Sequence, residues 1–342
     1  MTRDKYTPPF TLSAKAVSMI ADIAALAERF TIRMEQKDAL RLRKINKVKS
    51  IQSSLAIEGN TLSEEQVTAI LEGRRVVAPL REIQEVKNAI ATYDLYPKLN
   101  PFSVGDLLKA HGVMMSALID DAGVFRRGGV GVTDGANVIH VAPPAKRVPA
   151  LMHDLFQWLG NAEDHLLVRS CVFHYEFEFI HPFSDGNGRM GRLWQSLILG
   201  KFNAAFRHLP VETMVHDNQQ AYYDALNRST KEANCGVFID FMLGEISRTL
   251  RTHAKPSSVR KSGGVSDGAN GGVNVLAHIR KNPGCRAKGI AVALSIPLRS
   301  AERHIAVLRK DMKIEFRGAP KNGGYYLARG GKLKPKGSTD AL

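Results

Sequence analysis

The candidate functional residues of this 342-residue chain lie close together in the segment His181-Pro-Phe-Ser-Asp-Gly-Asn-Gly-Arg-Met-Gly-Arg192. Its Gly186-Asn-Gly188 stretch allows backbone conformations with positive φ, so that successive N–H groups can converge on an anion. The apolar run that follows predicts a helix beginning at about Gly188, whose N-terminal amides and dipole would point at the same anion. The segment is therefore predicted to hold a phosphate group at the start of a helix.

Charged side chains accompany this predicted anion site. Arg189 and Arg192 are three positions apart, so they share one helix face and can bind phosphate oxygens with their planar guanidinium groups. Asp185 can hold a hard cation such as Mg²⁺ between phosphates. His181, because the ordinary pKa of histidine is near 6.5, can accept a proton at neutral pH. A lone Gly-Asn-Gly with a helix-end histidine would indicate an ordinary loop, whereas this combination indicates a functional site.

The pattern HPFxDGNGRxxR resembles the active-site signature of the Fic family, and the resemblance covers about residues 40–250. It implies a mainly α-helical bundle that transfers AMP from ATP to Ser, Thr or Tyr hydroxyls of a target protein. It implies that His181 deprotonates the hydroxyl, that Asp185 holds Mg²⁺ and that Phe183 is a core residue. The phosphate ligands that it implies are Gly186, Asn187 and Gly188 for the α-phosphate, Arg189 for the β-phosphate and Arg192 for the γ-phosphate.

A second polar motif, Ser54-Leu-Ala-Ile-Glu58-Gly-Asn60, lies upstream. Ser54 and Glu58 are four apart on a predicted helix, and Gly59 is typical of the left-handed residue that ends one. A carboxylate in a last helical turn opposes the helix dipole, so Glu58 is either a solvated surface residue or has a cationic partner elsewhere. The pattern SxxxEGN resembles the inhibitory motif of many Fic proteins, which implies that Glu58 pairs with Arg192 where the γ-phosphate would bind.

Helical periodicity dominates the chain up to about residue 250. It predicts helices near 13–30, 33–58, 64–72, 80–96, 104–118, 147–160, 164–180, 188–200, 217–231 and 235–250, with a capping box at Ser63-Glu-Glu-Gln66. Residues 128–141 instead predict a short hairpin, which is either an ordinary surface hairpin or, as in Fic proteins, a flap that aligns a target peptide by β-augmentation. The residues assigned to that flap are Val130, Gly131, Val132, Val138, Ile139 and His140.

Nearly all of the net charge of +15 lies in the last quarter of the chain. Residues 251–342 contain 19 Lys and Arg against 5 Asp and Glu, whereas residues 1–250 contain 29 against 28. Two short helices at 273–280 and 286–294, a longer one at 298–310 and strands at 313–317 and 325–327 resemble a winged helix-turn-helix. Such a module binds duplex DNA, docks a protein or merely carries solvated surface charge, and in the first case the DNA-facing side chains would be Arg299, Arg303, His304 and Lys321.

These patterns divide the chain into an N-terminal helical region with the inhibitory helix, a catalytic core, a Gly/Ser-rich linker, a winged helix and a basic tail. The N-terminal region is predicted to span 1–104 and the catalytic core 105–253. The linker is predicted to span 254–272, the winged helix 273–330 and the basic tail 331–342.

The overall composition, 44% hydrophobic and 24% charged residues, is typical of globular domains. The three dispersed cysteines predict packed thiols in a cytoplasmic protein, and the sequence contains no run of 18 apolar residues that would predict a membrane span. Two functional classes follow. One is a protein adenylyltransferase that uses ATP and Mg²⁺, and the other is a DNA-binding regulator whose Fic body senses nucleotide with little turnover. The same scaffold removes AMP in some relatives, and self-association into a homo-oligomer is compatible with the sequence.

Overall fold

The computed structural model describes residues 6–34, 39–134, 137–254, 270–294, 298–310, 313–319 and 323–328. These belong to two compact units, Met1–Ser257 and Ser258–Leu342. Most of the predicted linker, together with Lys321 and the predicted basic tail, lies outside the described residues. The predicted domain limits therefore stay predictions.

The first unit is a helical bundle with one small hairpin, and the mainly α-helical class predicted from periodicity is confirmed. Within the described residues its helices are α1 Ala14–Met34, α2 Ala39–Ile57, α3 Glu64–Leu71, α4 Leu80–Leu95, α5 Val104–Met114, α6 Val148–Asn161, α7 Leu166–Ile180, α8 Asn187–Phe202, α9 Val211–Asp217, α10 Gln219–Glu232 and α11 Gly236–Ala254. The predicted segments match these helices except α9, which periodicity did not predict.

Helices α7 and α8 form the centre of the bundle and pack against each other. Apolar residues lie on all sides of α7, which is the pattern of a helix surrounded by others. Phe173 and Phe177 of α7 are fully buried, as is Trp194 of α8, whose indole N–H donates to the Pro101 carbonyl at 2.9 Å. The loop that joins α7 to α8, which contains the predicted active-site motif, is therefore fixed at both ends by the core.

The turn between α2 and α3 carries the predicted inhibitory motif. Helix α2 ends at Ile57, and Gly59 adopts the left-handed conformation predicted for it, with φ +89°. The Ser63 side chain then accepts from the Gln66 N–H while the Gln66 side chain accepts from the Ser63 N–H. This capping box was predicted from the sequence and is confirmed. Glu58 thus lies in a short turn between the end of α2 and the capping box of α3.

The predicted hairpin forms between α5 and α6. Strands β1 Gly131–Asp134 and β2 Asn137–Val141 pair antiparallel, with Gly131 opposite Val141 and an irregularity in register after Val132. The Ala142 N–H donates to the Val130 carbonyl at 3.3 Å and extends the pairing by one step. The flap residues predicted from the sequence therefore lie on these strands or next to them.

The second unit has its own small core. It contains α12 Asn270–Lys281, α13 Ala287–Ala293, α14 Leu298–Lys310 and the antiparallel strands β3 Ile314–Arg317 and β4 Gly324–Leu327. This is the element order predicted for a winged helix. Its buried core consists, among the described residues, of Val275, Ile279, Ile290, Ala291, Ala301, Ile305, Leu308 and Ile314.

Candidate active site

The loop between α7 and α8 has two residues in the left-handed backbone conformation. His181 ends α7 with φ +50°, which is uncommon for a residue other than glycine, and its N–H donates to the Phe177 carbonyl at 2.9 Å. Gly186 precedes α8 with φ +83°, and a Cβ there would lie 2.7 Å from the Met115 sulfur. The helix α8 then begins at Asn187, one residue before the predicted start. Its N-terminal amides lie beside the predicted anion site.

Buried contacts fix the shape of this loop. Phe183 is fully buried, as predicted for a core residue, and stacks on the imidazole of His111 with ring centroids 3.6 Å apart. His111 Nδ1 accepts from the Gly123 N–H at 2.8 Å, so its Nε2 donates to the Asp185 carbonyl at 3.0 Å. Sequence reasoning missed His111, because its role comes only from its position in the fold.

The Asn187 side chain contributes to the loop itself. Its amide oxygen accepts from the Phe183 N–H, and its amide nitrogen donates to the Phe183 carbonyl, both at 2.9 Å. The side chain is 2% exposed and thus braces the loop from inside. A phosphate contact by Asn187 would come from its backbone N–H at the start of α8.

Arg189 and Asp185 form an ion pair next to the helix start. The Arg189 guanidinium is buried, and its Nη2 donates to Asp185 Oδ1 at 3.0 Å. Arg81 from α4 approaches the other oxygen of the same carboxylate at 3.8 Å. Asp185 remains 41% exposed, so a ligand can reach it.

Among the described residues, no three His, Cys, Asp or Glu side chains converge on one point. Asp185 nevertheless fits a magnesium ion, because Mg²⁺ commonly takes one or two carboxylates together with substrate phosphates and water.

Arg192 links the two motifs. Its guanidinium is 2% exposed, and its Nη2 lies 2.7 Å from Glu58 Oε1. The same nitrogen donates to the Ser54 carbonyl at 3.1 Å, and Nε donates to the Ser54 hydroxyl at 3.3 Å. Burial alone would lower the pKa of Arg192, but the Glu58 carboxylate raises it and keeps the guanidinium charged.

The Glu58 carboxylate also lies over the start of α8. A Cβ built on Gly188 would be 2.7 Å from Glu58 Oε1 and 2.9 Å from Arg192 Nη1. Glycine at 188 therefore leaves room for a carboxylate at the amino end of the helix, where the partial charge of the backbone favours an anion. Glu58, whose side chain is 32% exposed, lies where the sequence predicts a phosphate.

Arg126 joins the base of the hairpin to the loop, and sequence reasoning missed it. Its buried guanidinium donates to the His181 carbonyl at 2.7 Å, the Gly128 carbonyl at 2.8 Å and the Pro143 carbonyl at 2.6 Å. A further hydrogen bond runs to the Ile180 carbonyl at 3.2 Å. In the sequence Arg126 is only one of two adjacent arginines, and nothing there indicates that its side chain bonds to four backbone carbonyls.

Replacing Arg126 with alanine is expected to lower the free energy of unfolding of the first unit by about 3 kcal/mol, because buried carbonyls lose their donors. Arg127→Ala is the matched control, since Arg127 is exposed. Urea unfolding followed by tryptophan fluorescence measures both, because Trp158 and Trp194 are the two tryptophans and both lie in this unit. Equal stability of the two variants would show that the Arg126 hydrogen bonds contribute little.

The remaining predicted residues are placed as follows. Of the predicted flap residues, Val130 precedes β1 and the others lie in β1 and β2. Arg126 contacts the carbonyls of Gly128 and Pro143, which flank these strands. Arg299, Arg303 and His304 lie on α14, where Arg303 is exposed and His304 is half-buried. Lys321 lies outside the described residues.

All three cysteines are free thiols. Within the described ranges, no helix has both the length and the apolar character needed to cross a membrane.

Comparison with known proteins places this site in a family. Residues 101–199 match the Fic/DOC family. Two curated relatives are protein adenylyltransferase Fic of Aedes aegypti, 29% identical over 59% of this chain and 41% of that protein, and protein adenylyltransferase fic-1 of Caenorhabditis elegans, 31% identical over 65% and 42%. The chain thus spans about two fifths of the length of these relatives.

Solved structures agree with the family match. A crystal structure of a Fic family protein from Desulfovibrio desulfuricans G20 is 41% identical, covers 96% of this chain and 100% of its own, and superimposes with a TM-score of 0.70. Residues 134–508 of C. elegans Fic-1 are 22% identical with a TM-score of 0.57, which supports the fold alone. The motif between α7 and α8, the helical bundle around it and this full-length match together establish that the chain belongs to the Fic family.

Proposed function

We propose that this protein transfers AMP from ATP to a hydroxyl group of a target protein, and that Glu58 inhibits the transfer. The observation that carries the proposal is the loop between α7 and α8. His181 ends α7, the loop leads into the start of α8, and Arg192 follows in that helix with a buried guanidinium, which supports a polyphosphate site here. The relatives named protein adenylyltransferase support the same reaction.

In the proposed step, His181 accepts the proton of the target hydroxyl. The hydroxyl oxygen forms a bond to the α-phosphorus, and the bond from that phosphorus to the bridging oxygen breaks with its electron pair on diphosphate. Backbone N–H groups of Gly186 to Gly188 hold the α-phosphate, since they lie at the positive end of α8. Arg189 binds the β-phosphate and Arg192 the γ-phosphate, as planar donors to phosphate oxygens.

Asp185 is the residue that would hold Mg²⁺ on the nucleotide, because its carboxylate is 41% exposed beside Arg189. The ion would neutralise charge on the phosphates. The target peptide would pair with the edge of the hairpin, and Arg126 fixes the base of that hairpin against the carbonyl of His181.

Inhibition follows from the pairing of Glu58 with Arg192. One guanidinium cannot bind both the carboxylate and a γ-phosphate at the same donors, so the nucleotide is misaligned while Glu58 stays in place. Because Glu58 and Ser54 lie at the end of α2, a movement of this corner would release the site.

Incubation of the Glu58→Gly variant with α-labelled ATP and Mg²⁺ separates the enzyme from the alternative, a regulator that binds nucleotide without turnover. Label on protein supports the transferase. Nucleotide binding at normal affinity without label on any protein supports the regulator.

We propose further that the second unit binds duplex DNA. Support comes from the charge of the segment 251–342 and from the order of three helices followed by two strands. Docking of a protein at the same unit is the alternative.

Deleting residues 255–342 is expected to leave AMP transfer by the Glu58→Gly protein within about threefold, because the proposed phosphate ligands all precede residue 193. Affinity for duplex DNA should disappear with the deletion, and in the full chain it should fall steeply with salt, since counterion release drives it. Fluorescence anisotropy with a labelled duplex at several salt concentrations measures this. DNA binding that persists in residues 1–254 would contradict the assignment.

A further inference from the structure

Glu178 is a largely buried carboxylate in the last turn of α7, and the mechanism above does not use it. Its Oε2 lies 3.9 Å from His181 Nδ1, and 12% of its side chain is exposed. Its Oε1 has no hydrogen-bond partner within the described part of the chain. Burial raises the pKa of Glu178 to about 7, and of its charged neighbours Arg192 lowers the pKa while Glu58 raises it. A buried acid at the negative end of a helix is costly, so its presence there requires an explanation.

Gly191, at a variable position of the pattern HPFxDGNGRxxR, leaves room for this carboxylate. A Cβ built on Gly191 of α8 would lie 2.7 Å from Glu178 Oε1 and 3.4 Å from the Phe177 ring. Any larger residue at position 191 would push the carboxylate away from its present position. The absence of a side chain at position 191 thus allows the Glu178 carboxylate to lie between α7 and α8, 3.9 Å from His181 Nδ1.

The other histidine beside Glu178 cannot neutralise it. His174 Nδ1 lies 2.7 Å from Gln195 Oε1, and its Nε2 lies 2.9 Å from the Tyr222 hydroxyl, so both nitrogens have neutral partners. Burial lowers the pKa of His174 to about 4, which keeps the ring uncharged. Arg192 is already paired with Glu58. The titratable and charged groups that face Glu178 are His174, His181, Arg192, Glu58, Tyr222 and Tyr223.

We propose that Glu178 is a positioning residue for His181. It holds the Nδ1–H of the imidazole toward its carboxylate, so that Nε2 is the nitrogen that accepts the proton. This inference rests on the proposed AMP transfer. As the hydroxyl oxygen attacks the α-phosphorus and diphosphate leaves with the electron pair of the broken bond, the hydroxyl proton moves to Nε2. The imidazolium so formed lies next to the Glu178 carboxylate, which stabilises its charge.

The separation of 3.9 Å between Nδ1 and Oε2 exceeds a hydrogen bond. Such contacts are commonly long before substrate binds and shorten in the reacting complex. Because the pKa of Glu178 is about 7, the carboxylate is ionised and the effect is present above that pH, and it is lost as the pH falls. The two groups titrate as a coupled pair.

Nitrogen NMR of histidine-labelled full-length protein tests the pairing without any reaction. In the Glu178→Gln variant the midpoint of the His181 titration should fall by about one pH unit, and its neutral form should change from one tautomer to a mixture. The His181→Ala variant assigns the signal. Glu176→Gln is the matched control, because Glu176 is a buried acid on the same helix that accepts from the Tyr6 hydroxyl at 2.8 Å. It should leave the His181 titration unchanged.

Kinetics in the Glu58→Gly background give the second readout. Glu178→Gln should lower kcat about tenfold with an unchanged KM for ATP, and should move the acidic limb of the pH profile to lower pH. If Glu178→Gln does not fold, Gly191→Ala should give the same NMR changes, since its methyl would displace the carboxylate.

An unchanged His181 midpoint and tautomer in a folded Glu178→Gln or Gly191→Ala protein would overturn the inference. If the midpoint of the His181 titration shifts but the protein transfers no AMP, the pairing of Glu178 with His181 is supported and the proposed function is wrong.

Discussion

Replacing His181 with alanine in the Glu58→Gly protein is expected to lower AMP transfer by a factor of roughly 10²–10⁴, the usual contribution of a general base. ATP affinity should change by less than about threefold, because His181 acts on the acceptor hydroxyl and not on the phosphates. Label transfer from ATP measures the rate, and isothermal titration calorimetry measures the affinity.

His153→Ala is the control for this loss, since it removes an exposed imidazole from α6. It should leave transfer unchanged. If the His181→Ala protein transfers AMP at the rate of its parent, His181 is not the general base, and another group accepts the proton of the target hydroxyl.

Removing the Glu58 carboxylate is expected to raise AMP transfer about a hundredfold. This value follows if the state in which Glu58 holds Arg192 is favoured by about 2.7 kcal/mol over the competent state. Glu58→Gln should activate nearly as much as Glu58→Gly, since it removes the charge that pairs with Arg192. Glu64→Gln, an exposed change at the start of α3, is the matched control and should leave the rate unchanged.

A double variant tests whether Glu58 acts through Arg192. Arg192→Ala alone should remove both the γ-phosphate ligand and the inhibition. The combination Glu58→Gly/Arg192→Ala should therefore be no more active than Arg192→Ala. Activation of the double variant over Arg192→Ala would mean that Glu58 inhibits through another contact, for example over the start of α8 at Gly188.

Local sequence determined much of the site. The glycines at 186 and 188, followed by an apolar run, predicted both the left-handed turn and the start of α8 to within one residue. The predicted left-handed residue Gly59 and the capping box that begins at Ser63 are likewise determined by neighbouring residues. Such features depend on backbone conformation and hydrogen bonds a few residues apart, which a sequence shows directly.

Contacts between distant segments were not predictable from the residues themselves. Helix α9 is only seven residues long, too short for periodicity to separate it from a loop. Arg126 bonds to carbonyls on both sides of the hairpin, and Glu178 is one polar residue in a helix that is apolar on all sides. Asn187 differs from these residues, because its place in the motif did imply a role. Its motif implies a phosphate contact, whereas its amide braces the Phe183 backbone.

The most direct test of the proposed function is the position of the transferred label. The Glu58→Gly protein is incubated with Mg²⁺ and ATP labelled either at the α- or at the γ-phosphate, and labelled protein is then quantified. We expect α-label on protein, no γ-label, and release of diphosphate in equal amount. Transfer of γ-label, or no transfer of either label by a protein that binds ATP, would contradict the assignment of AMP transfer to this site.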